Sequence, residues 1–221
     1  MSGKATTRSR RRWAAALALP LVLGAAPAAA SGVAAPRAAA TAGVAIPADS
    51  FGPLRAAGID LENFGIVDGR IYRGAQPGKG DYRALAGLGV TTIIDLRLDA
   101  RSDARRKAED AGLRYVNIAI DDHGQPTDRD VTAFLKALDE DPAAKVYVHC
   151  AGGRHRTGSM VAVYRMVRNG WTLARAYEEM LAYDFYTRMG HGGFKTFVND
   201  YWLRMNADPA SVPAAATPTF K

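Results

Sequence analysis

Residues 145–158 constrain the fold more than any other stretch of the chain. Lys145 to His149 (KVYVH) is a short β-branched and aromatic run of strand character. It passes straight into His149-Cys150-Ala151-Gly152-Gly153-Arg154-His155-Arg156-Thr157-Gly158. A helix-forming segment then runs from Thr157 to Asn169 and stops at Gly170. A strand that feeds a helix through a glycine loop packs that helix on its own sheet, the unit from which parallel sheets are built.

The flanking sequence repeats the alternation. Thr91 to Leu96 (TTIIDL) and Tyr115 to Ile120 read as strands, the first apolar enough to be buried on both faces. Helices are expected at Asp81 to Leu88, Arg101 to Ala111, Thr127 to Leu138, Leu173 to Tyr183 and Phe194 to Met205, with Thr127 and Thr172 as N-caps. Leu173, Tyr177, Met180 and Leu181 form the expected core stripe of their helix. Phe64 to Val67 and Arg70 to Tyr72, around Asp68-Gly69, predict a hairpin with a type I′ turn. The expected fold is α/β, a central, mostly parallel sheet flanked by helices on both faces. In such sheets ligands bind where strand ends meet helix starts, which points to the loop after His149.

That loop has an anion-binding composition. The free N–H groups and dipole of a helix N-terminus attract negative charge, and Gly152-Gly153 lets the backbone of Ala151, Gly152, Gly153, Arg154 and His155 curl into a nest. The same field favours a thiolate at the loop's start, which marks Cys150 as a nucleophile. Arg156, six residues on, offers a planar two-pronged donor suited to two phosphoryl oxygens. Thr157 is placed to hydrogen-bond the Cys150 sulfur as it leaves. Cys150 is the only cysteine, so no intramolecular disulfide can form.

Cys-x5-Arg followed by Thr-Gly, here HCAGGRHRTG, resembles the signature of protein tyrosine and dual-specificity phosphatases, and most of all the bacterial and plant or fungal atypical dual-specificity group. The resemblance runs from Asn63 to Trp202 and includes IYRGAQP (Ile71–Pro77), TTIIDLR (Thr91–Arg97) and GWTLARAYEEM (Gly170–Met180). It implies a phosphate monoester hydrolase working through a cysteinyl-phosphate, with no metal and no cofactor. It also implies an aspartate general acid upstream, for which Asp122 is the first choice and Asp121 the second, while Asp128 belongs to a helix start. Basic residues at the positions of Arg154 and His155 resemble family members acting on phosphoinositides or inositol polyphosphates. Phosphotyrosine or dual-specificity protein substrates and inositol phosphates or lipids are therefore both implied, with a slight lean toward broad or lipid-like substrates.

Two alternatives share part of this pattern: a rhodanese-like sulfurtransferase, which would lack the Thr-Gly and the upstream acid, and an inactive phosphate-binding module, which would have lost Cys150 or Arg156. A metal site at His149, Cys150 and His155 lacks ligand spacing, and His149 is expected to bond the loop backbone instead. Arg97 is expected to pair with an acid rather than touch substrate.

The ends read differently from the domain. Lys4, Arg8 and Arg10 to Arg12 precede an apolar stretch from Trp13 to Leu23 and a small-residue site at Ala28-Ala29-Ala30, the pattern of an export signal over residues 1–30. Ser9-Arg10-Arg11-Arg12-Trp13 also resembles the twin-arginine type. The expected location is the periplasm, cell envelope or extracellular space, with no membrane span once the signal is cleaved. The signal carries five cations and no acid, so the formal +7 of the chain falls to +2 without it. That balance gives no argument for nucleic-acid binding. Residues 31–58 read as a flexible Ala/Pro/Gly-rich lead-in, 59–207 as the domain, and 208–221 as a disordered tail.

Overall fold

The computed structural model describes Gly52, residues 59–100 and residues 102–207. The expected export signal, the tail and all of the lead-in but Gly52 lie outside these residues. The described strands are β1 (Gly65–Ile66), β2 (Ile71–Gly74), β3 (Val90–Arg97), β4 (Arg114–Ile120) and β5 (Lys145–His149). The helices are α1 (Asp81–Gly87), α2 (Ala104–Asp110), α3 (Asp128–Asp139), α4 (His155–Asn169), α5 (Leu173–Ala182) and α6 (Gly192–Ala207). The strands form one sheet in the order β1-β2-β5-β3-β4, parallel except for the antiparallel β1 at the edge.

Two buried clusters lie on the two sides of this sheet, and strand alternation divides its residues between them. Ile94, Val146 and Val148 join Phe134, Leu135, Met160, Val163, Phe194 and Val198 in the larger cluster under α3, α4 and α6. Ile93 and Tyr147 face the smaller cluster with Tyr82, Leu85, Ala104 and Ala108 of α1 and α2. The α/β fold with helices on both faces is therefore as expected, and β5 sits at its centre. No described helix is long and apolar enough to cross a membrane.

Local differences have physical causes. The β1–β2 connection is no two-residue type I′ turn: neither Asp68 nor Gly69 has the positive φ that turn requires. Residues 67–70 form a wider loop in which Asp68 Oδ1 accepts from the N–H groups of Arg70 and Ile71, both at 2.9 Å. Helix α4 starts at His155, two residues earlier than expected, so His155 and Arg156 are helical. In α5, Leu181 is 51% exposed, whereas Glu179 is buried. The stripe includes Glu179 because buried Arg165 meets it with two hydrogen bonds, of 3.0 and 2.7 Å. Helix α3 is capped as expected: Thr127 and Asp130 form a capping box.

Candidate active site

Cys150 lies at the carboxyl end of the central strand and is 3% exposed. Each of the next carbonyls is tied from outside the loop. Gln76 N–H donates to Ala151 O at 3.0 Å, Asn63 Nδ2 to Gly152 O at 2.8 Å, and Arg73 Nη2 to Gly153 O at 2.9 Å. With its carbonyls drawn outward, the loop turns its amides the other way, and no N–H of residues 151–154 donates to another group among the described residues. Gly153 has φ +69, and a Cβ there would lie 2.5 Å from Gly74 C, so the close approach of the loop to β2 requires glycine.

Arg156 projects from the first turn of α4 and is 3% exposed. Its Nη2 lies 2.9 Å from Asp122 Oδ1, and its Nη1 donates to Ile120 O at 3.3 Å. Asp122 sits just beyond β4 with a side chain 56% exposed. Cys150, Asp122 and Arg156 line one pocket of about 140 Å³ with Tyr186 and His191. That is below the roughly 300–1,000 Å³ that encloses a drug-sized ligand, so a phosphoryl group fits while the body of its ester stays outside.

Asp121 and Asp122 are separated by geometry. Asp121 Oδ1 accepts from His123 N–H at 2.8 Å and Gly124 N–H at 2.9 Å, bonds that lower its carboxyl below the usual range. Asp122 instead faces the pocket. Thr157 Oγ1 is buried without a hydrogen-bond partner, so the expected bond to the Cys150 sulfur is absent in this state.

The charge expected inside the loop is largely cancelled. Burial, with the neighbouring His191, lowers the pKa of His155 to about 4 and leaves its ring neutral near pH 7. Arg154 is paired with Glu62 and lies 3.9 Å from Asp184. His149 Nδ1 is 3.2 Å from Cys150 O, the structural role expected for it, and burial lowers its pKa to about 4. Arg97 is structural as well. It makes bonds of 2.9 and 2.7 Å to Asp95 and reaches Gln76 Oε1 at 2.6 Å, which links this buried pair to the loop through Gln76.

Sequence reasoning assigned nothing to Asn63 or Arg73, both of which hold the loop. Asn63 has φ +54, a conformation asparagine tolerates better than most residues. Arg73 is fully buried, stacks 3.8 Å over Tyr183, and leaves Nε and Nη1 unpartnered. The one signal was an arginine inside an apolar strand sequence. Among the described residues, no group of three or more His, Cys, Asp or Glu side chains is arranged to hold a metal.

Residues 62–195 match a family model described as a DSP-PTPase phosphatase fused to NAD+ kinase. The chain is 31% identical over 126 residues to the dual specificity protein phosphatase TpbA of Pseudomonas aeruginosa, covering 56% of this chain and 51% of that protein. It is 28% identical over 122 residues to the inositol diphosphatase DSP4 of Arabidopsis thaliana, covering 53% of this chain and 61% of that one. The crystal structure of TpbA superposes with a TM-score of 0.56 at 24% identity, over 69% of this chain and 91% of that one. The catalytic core of Siw14, a PP-IP phosphatase of S. cerevisiae, gives 0.55 at 21%, over 70% and 97%. These two superpositions speak to the fold.

Proposed function

The chain belongs to the DSP-PTPase phosphatase family, and we propose that it hydrolyses phosphate monoesters through a cysteinyl-phosphate on Cys150. One observation carries the reading: Cys150, Arg156 and Asp122 meet in a single small pocket floored by a loop of free amides. The Cys150 thiolate attacks phosphorus, an S–P bond forms, and the P–O bond to the leaving group breaks. Asp122, protonated, gives its proton to that oxygen. Arg156 and the amides of residues 151–155 take the charge on the equatorial oxygens. Water then attacks phosphorus and loses its proton to Asp122, and the S–P bond breaks. The unpartnered Thr157 hydroxyl is available to the departing sulfur.

The preferred substrate is a phosphorylated protein side chain, because the pocket is small and, among the described residues that line it, Arg156 is the one arginine that faces Asp122 of the proposed acid pair rather than an ion pair outside the pocket. An inositol polyphosphate would place several phosphates around it, where Arg154 is already paired and His155 is neutral. The likeness to TpbA, a dual specificity protein phosphatase, supports the first substrate and that to DSP4, an inositol diphosphatase, the second.

Residues 1–30 support a second proposal, export with cleavage after Ala30 and action outside the cytoplasm. The mature protein should begin at Ser31, which N-terminal sequencing of the processed form checks.

The activity is tested by phosphate release from para-nitrophenyl phosphate, a phosphotyrosine peptide, a phosphoinositide and an inositol polyphosphate, with reductant and without metal. Turnover led by the peptide is expected. A folded protein inactive on all four contradicts the reading and favours the binding module or the sulfurtransferase.

A further inference from the structure

Three histidine rings stack beside the pocket, each from a different part of the chain. His123 follows Asp122 in the loop after β4, His155 precedes Arg156 at the start of α4, and His191 precedes α6. The His155 and His191 rings lie 3.8 Å apart and 11° from parallel, and His191 and His123 lie 5.2 Å apart at 30°. We propose that His191 is a positioning residue for the general acid, holding the Asp122 loop against the phosphate-binding helix by stacking between His123 and His155. The proposal rests on the reading of Asp122 as the acid.

The same loop also runs so close to the same segment that a side chain on either of two glycines would crowd it. A Cβ at Gly190, where φ is +86, would lie 3.2 Å from His123 Nδ1, and one at Gly193 would lie 3.2 Å from Gln125 Cγ. The segment is itself secured. His155 Nε2 is 3.1 Å from Tyr186 O, the His155 ring meets Tyr186 edge-on at 4.4 Å, and His191 is only 7% exposed. The Asp122 carboxylate, by contrast, has one partner among the described residues, Arg156. Once a phosphoryl group takes Arg156, that bond is lost at the moment the acid must be aligned. What then helps to hold the loop is the stack, the close fit at Gly190 and Gly193, and the Asp121 turn. Losing an ångström of alignment is costly in a proton-transfer step, so the His191 ring, which lines the pocket wall and reaches Asp122 through the neighbouring His123, governs its rate.

The test compares leaving groups. A general acid matters for phenyl phosphate, whose leaving oxygen is basic, and much less for para-nitrophenyl phosphate. His191→Ala should lower kcat on phenyl phosphate by about tenfold or more and on para-nitrophenyl phosphate by less than about threefold. His191→Phe, which keeps a stacking ring, should recover most of the loss. In an Asp122→Asn background, His191→Ala should have no further effect on phenyl phosphate. His123→Ala, at an exposed position, should repeat the selective loss and serves if His191→Ala fails to fold. Equal loss on both esters, no loss on either, or an additive effect in the Asp122→Asn background would overturn the proposal. A wild-type protein inactive on both esters would instead overturn the phosphatase reading beneath it.

Discussion

Arg156 Nη2 and Asp122 Oδ1 lie 2.9 Å apart across the pocket, so the residue proposed to grip phosphate and the residue proposed to protonate the leaving group are each other's counter-ion before substrate arrives. An incoming phosphoryl group competes with Asp122 for the guanidinium. Asp122→Ala should therefore lower kcat by about 10²–10³-fold through loss of the acid. The same variant should bind orthovanadate at least as tightly as the wild type, because the competing carboxylate is gone. Asp121→Asn, which alters only a turn, should keep more than about a tenth of the activity. Reversal of the two aspartates in a steady-state comparison would reassign the acid.

Gly153→Ala tests the cradle. An alanine at φ +69 carries left-handed strain of about 1–2 kcal/mol. It also drives its methyl into the Gly74 backbone, 2.5 Å away. A thermal melt should show a loss of at least about 4 °C for a domain of this size, and vanadate binding should weaken. An unchanged melt with unchanged binding would mean the loop does not need that close approach.

Arg73 should separate stability from activity. Its guanidinium is buried with two unpartnered nitrogens, and burial pushes its pKa down, so its removal relieves a desolvation cost while untying Gly153 O. Arg73→Met should change folding stability by less than about 1 kcal/mol and lower kcat/KM by about tenfold or more. Denaturant melts and kinetics on the same preparation give both readouts. A large stability loss with normal kinetics in the folded fraction would make Arg73 a core residue only.

The buried histidines set the acid limit of the fold. Burial holds both His149 and His155 at a pKa of about 4, below the roughly 6.5 of an unfolded histidine. The unfolded chain therefore binds more protons between these values. Their contribution is complete above about pH 6.5 and is lost as pH falls toward 4. Burial raises the Asp95 carboxyl, but the Arg97 hydrogen bonds, the His149 charge and Tyr115 bring it net below its ordinary value, so its share is lost at still lower pH. The melting temperature should fall steadily from pH 7 to pH 5. His155→Phe, set among Phe185, Tyr186 and Phe194, should lessen that slope by about one proton; an unchanged slope would show that His155 is not held neutral.

What the sequence made legible was local and strongly patterned. KVYVH followed by CAGGRHRTG located the central strand, the loop and the helix, because glycines at a strand–helix junction admit few structures. The alternation of TTIIDL, and of Ile93 with Ile94 in particular, yielded a sheet covered on both faces. Asp68-Gly69 misled because the side chain of Asp68 bonds two later amides, an Asx arrangement that a two-residue turn rule does not anticipate. Leu181 and Glu179 were exchanged in the core since the partner of Glu179, Arg165, lies fourteen residues earlier on another helix. The charge assigned to His155 was lost for a similar reason: its neutrality comes from burial against residues such as Phe194 and from His191, more than thirty residues away. Asn63 and Arg73 act on the loop from about eighty or more residues upstream, and no local pattern carries that contact.

The most direct measurement is rapid acid quench of the full-length protein during turnover of para-nitrophenyl phosphate, followed by mass spectrometry of the peptide bearing Cys150. The expected result is a phosphoryl adduct on Cys150 that is absent from Cys150→Ser, together with loss of turnover in that variant. Turnover that persists in Cys150→Ser, or an adduct on any other residue, would contradict a cysteinyl-phosphate mechanism at this site.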